Sequence, residues 1–321
     1  MEVYFLLLQQ KYYLSKLLHL SNNIFCKWLF VNYNMAINQN CFHKVQFKFL
    51  YEINIIYKTT AEKYNVEMLN KINYIKQIEE LSLNAHPGIK TELYDGWVLR
   101  FANGYTNRAN SVNMLYGGSV NLEEKIEVCQ SRYFLQGLSS VFKIIPELSE
   151  EHKKMDLLLE ARGYEIVTPT DLMILDLSKK EFPIEESCVF CDFPEDEWLE
   201  SYFDFEHCTN PVSQNTAKQI MSLIQDDCIY CRLQNEGKTV ACASMAIEKG
   251  FGLLSHVVVD ESCRGKGYGK QLCQSLLQQA KNKGAHTIYL QVLKSNDVAI
   301  NLYKKLGFEK SYDYWYRVKK S

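Results

Sequence analysis

The sequence predicts a mixed α/β fold, built twice along the chain. Residues 253–280 read as a buried strand, a glycine loop and an amphipathic helix in immediate succession. Strand-like and helix-like segments alternate from residue 67 to the C-terminus. The stretch LLLEARGYEIVTPTDLMILDL at 157–177 also echoes NLYKKLGFEKSYDYWYRVKK at 301–320, with Gly163 opposite Gly307 and Leu159 opposite Tyr303.

At 321 residues and 47% apolar content, the chain is long enough for about two domains with real cores. A net charge of -2 offers no basic excess, which argues against a nucleic-acid partner. The 11 cysteines are scattered and no secretory signal accompanies them, so a reducing, cytoplasmic setting is expected. The apolar run 3–8 soon meets Gln9, Gln10 and Lys11 and is too short to span a bilayer, so no membrane partner is expected.

Residues 1–66 stand apart. All 15 glycines lie between residues 88 and 307, and this segment also has no Pro, Asp or Arg. It reads as an extension outside the functional fold, with Met68 a candidate start, or else as a helical arm. Next comes a helical stripe of Leu69, Ile72, Ile75, Ile78 and Leu81, which stops before Pro87 and Gly88. Residues 97–102 predict a strand, Asn103-Gly104 a turn, and 112–115 the return strand. Asn121 with Glu124 marks a capping box. A strand at 141–145, a helix at 149–162 and a Gly163 C-cap complete the first half, 67–178.

A short charged linker, 176–183, separates it from the second half, 183–321. There we expect helices at 198–205 and 213–225, then strands at 228–233 and 239–248 joined by Asn235-Glu236-Gly237. The strand ending at Val259 follows, then a helix at 267–283, a strand at 287–293, a helix at 297–306 and two final strands from Phe308 and Tyr314. The echo pairs SSVFKII with HTIYLQV and SVNML with SHVVV. Between those strands, however, the first half carries YGGSVN, without an Arg or a third spaced glycine.

The loop RGKGYG at 264–269 carries the chemistry. Its glycines permit positive φ, and the amides opening the following helix point outward beside a partial positive charge. With Arg264, Lys266 and Lys270 added, a phosphate or pyrophosphate is the natural guest. A dinucleotide site fits poorly, because the spacing is GxGxG and no acidic residue ends the next strand. Cys188/Cys191 and Cys228/Cys231 form two CxxC pairs, but in strands their side chains point to opposite faces, so no metal is expected.

These residues resemble the GNAT N-acetyltransferase superfamily, whose RxxGxG signature fits 264–269 and whose second conserved block resembles LQVLKSNDVAINLYKKLGFE. The specific likeness covers 253–309, and the first half resembles a degenerate GNAT domain. The resemblance implies a mostly antiparallel sheet flanked by helices, in two tandem copies, with acetyl-CoA as cosubstrate and an amine as acceptor. It implies cofactor contacts at Val257, Val258 and Val259 and at Arg264, Gly265, Lys266, Gly267, Tyr268 and Gly269. It further implies that Asn296 contacts the cofactor arm and that Tyr303 protonates the departing thiolate. Seven residues apart on one helix, Asn296 and Tyr303 share a face, roughly 10 Å apart along the axis.

Where some relatives place a Glu as base, this chain has Gln291, so His256 is a candidate base, Glu206 and His207 are candidate acceptor contacts or bases, and a water chain is a further alternative. Asn296 can also serve as a helix cap, Tyr303 as a core aromatic and His256 as a structural histidine. A non-catalytic acyl-CoA-binding or regulatory module is the competing class of function.

Overall fold

The computed structural model describes residue 63 and residues 66–319. Residues 1–68 and 69–321 form two separate units, and the second is described here. The expectation for 1–66 lies outside the described residues, apart from residue 63 and the start of the first helix.

Helix α1 covers 66–84, and its predicted stripe buries Ile75, Ile78 and Leu81. Strands β1 (Lys90–Tyr94), β2 (Trp97–Phe101) and β3 (Val112–Asn113) follow, then α2 (Leu122–Phe134), β4 (Val141–Ile144), α3 (Glu150–Ala161) and β5 (Glu165–Asp176). The second half holds β6 (Cys188–Cys191), α4 (Asp196–Phe205), α5 (Pro211–Ser222), β7 (Asp227–Asn235), β8 (Lys238–Glu248) and β9 (Phe251–Val259). A 3-10 turn (Glu261–Cys263), α6 (Tyr268–Asn282), β10 (Thr287–Leu293), α7 (Asp297–Leu306) and β11 (Glu309–Val318) complete it.

All strands join one sheet in the order β1-β2-β3-β4-β11-β5-β10-β9-β8-β7-β6. Its pairings are antiparallel except β3 with β4 and β9 with β10. The sheet therefore repeats one pattern outward from its centre. That centre is an exchange: β11 lies between β4 and β5, and β5 lies between β11 and β10. Gly163 (φ 79°) and Gly307 (φ 96°) each turn the chain from a helix into one of the exchanged strands. Helices α2 and α3 cover β2–β4, while α6 and α7 cover β7–β10 on the same side of the sheet. Helices α1, α4 and α5 pack on the other side.

Two expectations are corrected. The C-terminus is one strand, not two: β11 runs unbroken through two register shifts against β5, one with the extra residue Ser311 in β11 and one with the extra residue in β5 beside Trp315. The tight hairpin is β1–β2, where Asp95 (φ 43°) and Gly96 (φ 82°) supply a two-residue turn. Asn103-Gly104 instead opens a longer loop between β2 and β3. The caps behave as their residue types dictate: Asn121, Ser149 and Asn210 each accept a backbone amide with the side chain.

Candidate functional site

Strand β9 pairs with β10 only from Phe251 to Leu254. Beyond that point the two strands part, while β10 continues along β5 to Leu293. The edge of β9 facing β10 is therefore unpaired from Ser255 to Val259, which leaves a wedge in the sheet. A bulge helps set the divergence: His256 and Val257 together oppose Ala243, and His256 takes φ 55°.

Val257 and Val259 pack against the core under α6 and α7, with Tyr268, Leu302 and Tyr303, whereas Val258 faces α4. At the mouth of the wedge, Gly265 (φ 78°) and Gly267 (φ 89°) turn the chain into α6. Among the described residues, no amide from Gly265 to Gly269 has an acceptor within the protein. A Cβ at Gly265 or Gly267 would meet nothing within 4 Å, so the loop faces open space. Arg264 Nε donates to Val259 O at 3.3 Å, and its Nη1 lies 3.1 Å from Glu261 Oε1. The loop is thus a cradle of free donors beside an unpaired strand edge, a fit for a phosphate-bearing acyl carrier.

Asn296 is exposed and caps α7, its Oδ1 accepting from Ala299 N at 3.1 Å. Two turns along, Tyr303 is only 8% exposed, edge-on to Phe308 with ring centroids 5.8 Å apart. Burial and the nearby Cys273 raise its pKa far above that of a free phenol. Its hydroxyl therefore keeps its proton and can act as a donor. Gln291 is fixed by Ser82 Oγ at 3.2 Å and by the Tyr314 hydroxyl, which donates to its Oε1 at 2.9 Å.

On the opposite side of the sheet, His256 sits edge-on beside the stacked rings of Tyr202 (5.1 Å) and Trp198 (5.9 Å) and shares a 2.7 Å hydrogen bond with Ser244 Oγ. Burial, helped by Arg108, pushes its pKa down to about 3. It is neutral at neutral pH but a weakened base. His86, from the turn after α1, stands 6.5 Å from it.

Glu206 is exposed at the end of α4, and desolvation raises its carboxyl while Arg264 and His207 pull it down. His207 Nε2 lies 3.4 Å from Glu261 Oε1. Both residues therefore sit near the loop at the mouth rather than beside His256. The Cys188 and Cys231 thiols are in contact across β6 and β7. No group of three His, Cys, Asp or Glu side chains placed to hold a metal occurs among the described residues. None of their helices is long and apolar enough to cross a membrane.

The sequence reading missed His86, Tyr202, Trp198 and the first-half residue Arg108 as neighbours of His256. The one local signal was Asn103-Gly104, read only as a turn.

A family model described as "Probable histone acetyltransferase Rv0428c C-terminal" matches residues 73–317. An uncharacterized N-acetyltransferase, YobR of Bacillus subtilis, is 29% identical over 252 residues, covering 77% of this chain and 99% of that protein. Among solved structures, a GCN5-related N-acetyltransferase from Kribbella flavida shares the fold with a TM-score of 0.59 at 16% identity, over 77% of this chain and 95% of that one. A tandem GNAT protein from the clavulanic acid biosynthesis pathway follows at TM-score 0.51 and 14% identity, over 70% and 78%. With the signature loop, the wedge and these matches on one chain, the protein belongs to the Rv0428c-type acetyltransferase family, within the GNAT superfamily of N-acetyltransferases.

Proposed function

We propose that this chain transfers an acetyl group from acetyl-CoA to a primary amine by direct attack on the thioester. The second half acts as the catalytic copy of a tandem pair, and the first half shapes the acceptor side. The observation that carries this reading is the run of free amides from Gly265 to Gly269 opening beside the unpaired edge of β9.

In this reading the amides of 265–269 and Arg264 hold the pyrophosphate. The free edge of β9 at Val257, Val258 and Val259 aligns the pantetheine arm, and Asn296 borders it. Acetyl-CoA supplies an acetyl group activated as a thioester. Negative charge that builds on the carbonyl oxygen is met by a fixed backbone N–H of β9. Tyr303, held protonated by burial, donates to sulfur as charge develops there. His256 faces the acceptor side as a neutral imidazole, and Glu206, with its raised pKa, is a second proton acceptor at the mouth.

Titration of the purified chain with acetyl-CoA, followed by thiol release with a panel of amines, tests this. One equivalent bound per chain and amine-dependent thiol release are expected. Two equivalents would contradict the assignment of a single loop. A second reading, a non-catalytic acyl-CoA module, is favoured by Gln291, whose amide is locked by Ser82 and Tyr314. Tight binding without thiol release on any amine would support it.

The matched family's description names a histone acetyltransferase, so a basic peptide is one acceptor to test. Asp196, Glu200 and Asp204 line a cleft of about 480 Å³ along α4, which suits such a peptide.

A further inference from the structure

Positive charge gathers on the His256 side of the sheet without matching carboxylates. Arg100 is 2% exposed on β2, and its Nη2 is buried with no hydrogen-bond partner among the described residues. His86, 4% exposed, likewise has a buried Nε2 with no partner. Half-buried Arg108 makes no ion pair to any described carboxylate, and Arg100 makes none either. The buried Lys143 on β4 is the third cation, and it alone is matched. Glu79 takes its Nζ at 2.6 Å and the Tyr312 hydroxyl at 2.7 Å, which occupies both carboxylate oxygens. Two guanidinium charges are left over.

Their position is built. Arg108 rides on the loop 102–111, and Asn110 fixes that loop by donating to Ala102 O, Tyr105 O and Thr106 O and by accepting from Ala102 N at 2.7 Å and Gly104 N at 3.1 Å. Asn103 Nδ2 then docks the loop on α5, 3.3 Å from Thr216 Oγ1. The fields of Arg108 and Arg100 both reach His86, and that of Arg108 reaches His256 at the β9 bulge. An uncompensated buried charge is unfavourable, and an anionic ligand relieves it.

We propose that the acceptor is a small amine bearing an oxyanion, a carboxylate or a phosphate, seated between Arg108 and Arg100 so that its amine meets the β9 bulge at His256. The first half thereby acts as the specificity element for the second. This rests on the acetyltransferase reading for the acceptor's role, but the anion site is testable without turnover. A lysine-rich peptide would place its positive charges against two unpaired guanidinium groups and is disfavoured there.

The test has two arms on the full chain. In the first, thermal melting is followed with added inorganic phosphate or acetate, for the native chain and for Arg108→Gln. Stabilisation of the native chain that is lost in the variant supports the anion site, and equal responses overturn it, whatever the activity. In the second, kcat/KM is compared for amines with a carboxylate, amines with a phosphate, their uncharged analogues and a lysine-rich peptide. We expect an anionic class to exceed its uncharged analogues by about 10- to 100-fold. Arg108→Gln should collapse that ratio through KM while the KM for acetyl-CoA holds, and Arg108→Lys should retain part of it. The better of the two anionic classes identifies the oxyanion. Preference for the peptide or for uncharged amines would overturn the proposal. Thiol release absent with every amine, but with stabilisation by phosphate or acetate that still depends on Arg108, would refute the acetyltransferase reading and leave the anion site standing.

Discussion

Tyr303 shows how one side chain can be a core residue and a candidate acid together. Its ring fills the space beside Phe308, and its hydroxyl makes no hydrogen bond to another described residue. Tyr303→Phe keeps the ring and removes the proton, so the fold should hold while kcat for thiol release falls by about 100-fold or more. A melting curve beside the kinetics separates the two roles, and undiminished kcat would remove the assignment. The histidines make a different prediction. Burial holds His86 well below 6.5, His152 at about 4 and His256 at about 3. His152 is pinned neutral, with Nδ1 accepting from Ile145 N at 3.0 Å and Nε2 2.9 Å from Met114 O. In the unfolded chain each histidine takes up a proton near pH 6.5, while the folded chain resists. Stability from these groups is therefore complete above about pH 6.5 and is lost as pH falls toward their folded values. The loss between pH 6.5 and 5 is at most about 5 kcal/mol for the three together. Urea unfolding at the two pH values measures it, and His152→Asn should remove about a third of the slope.

The glycine loop is the element the sequence describes best, because its geometry is local: the donors, the positive φ and the start of the helix they open all lie within 264–269. Gly267→Ala tests it cleanly. A methyl there meets nothing within 4 Å, so the substitution strains only a backbone held at φ 89°. The strain is about 1 kcal/mol, visible as a small drop in melting temperature. Distortion of the free amides should weaken acetyl-CoA binding by about 10-fold. Unchanged affinity would mean that the amides do not hold the cofactor. Strands with clean turns, such as β7 and β8 around Glu236-Gly237, were also legible. The two-strand reading of 308–318 failed because a bulged strand looks like two: the extra residue Ser311 breaks the alternation ahead of Tyr312, Tyr314 and Tyr316, which face α1. The anion-bearing side of the site was illegible for another reason. Arg100, Arg108, His86 and His256 come from four separate segments, and only the assembled sheet brings them together.

The exchange of β5 and β11 governs the molecule as a whole. The echo in the sequence correctly pairs the segments around Gly163 and Gly307, yet it says nothing about which half each strand enters, since both share the same local pattern. In the structure β5 supplies the neighbour that completes β10, and β11 supplies the neighbour that completes β4. Side chains reinforce the exchange: Asp156 on α3 holds Arg317 of β11 through Nε at 2.7 Å and Nη2 at 3.1 Å, and also accepts from Trp315 Nε1 at 2.8 Å. Arg317 is 4% exposed, so removing Asp156 leaves a largely buried charge with only the exposed Glu160, 3.7 Å from Nη2, as a carboxylate partner. Asp156→Ala should therefore destabilise the chain by about 3 kcal/mol, measured by urea unfolding. The same topology argues that neither half is a complete folding unit, although each carries its own helices and parallel strand pair. Residues 183–321 expressed alone would present the β10 edge bare and leave β11 without either neighbour, an arrangement that invites aggregation. We expect that fragment to be insoluble or molten by itself, and to be recovered as a soluble complex when residues 67–182 are co-expressed with it. A monomeric, cooperatively melting fragment 183–321 that binds acetyl-CoA would show that the exchanged strands are dispensable and that the wedge between β9 and β10 forms without the first half.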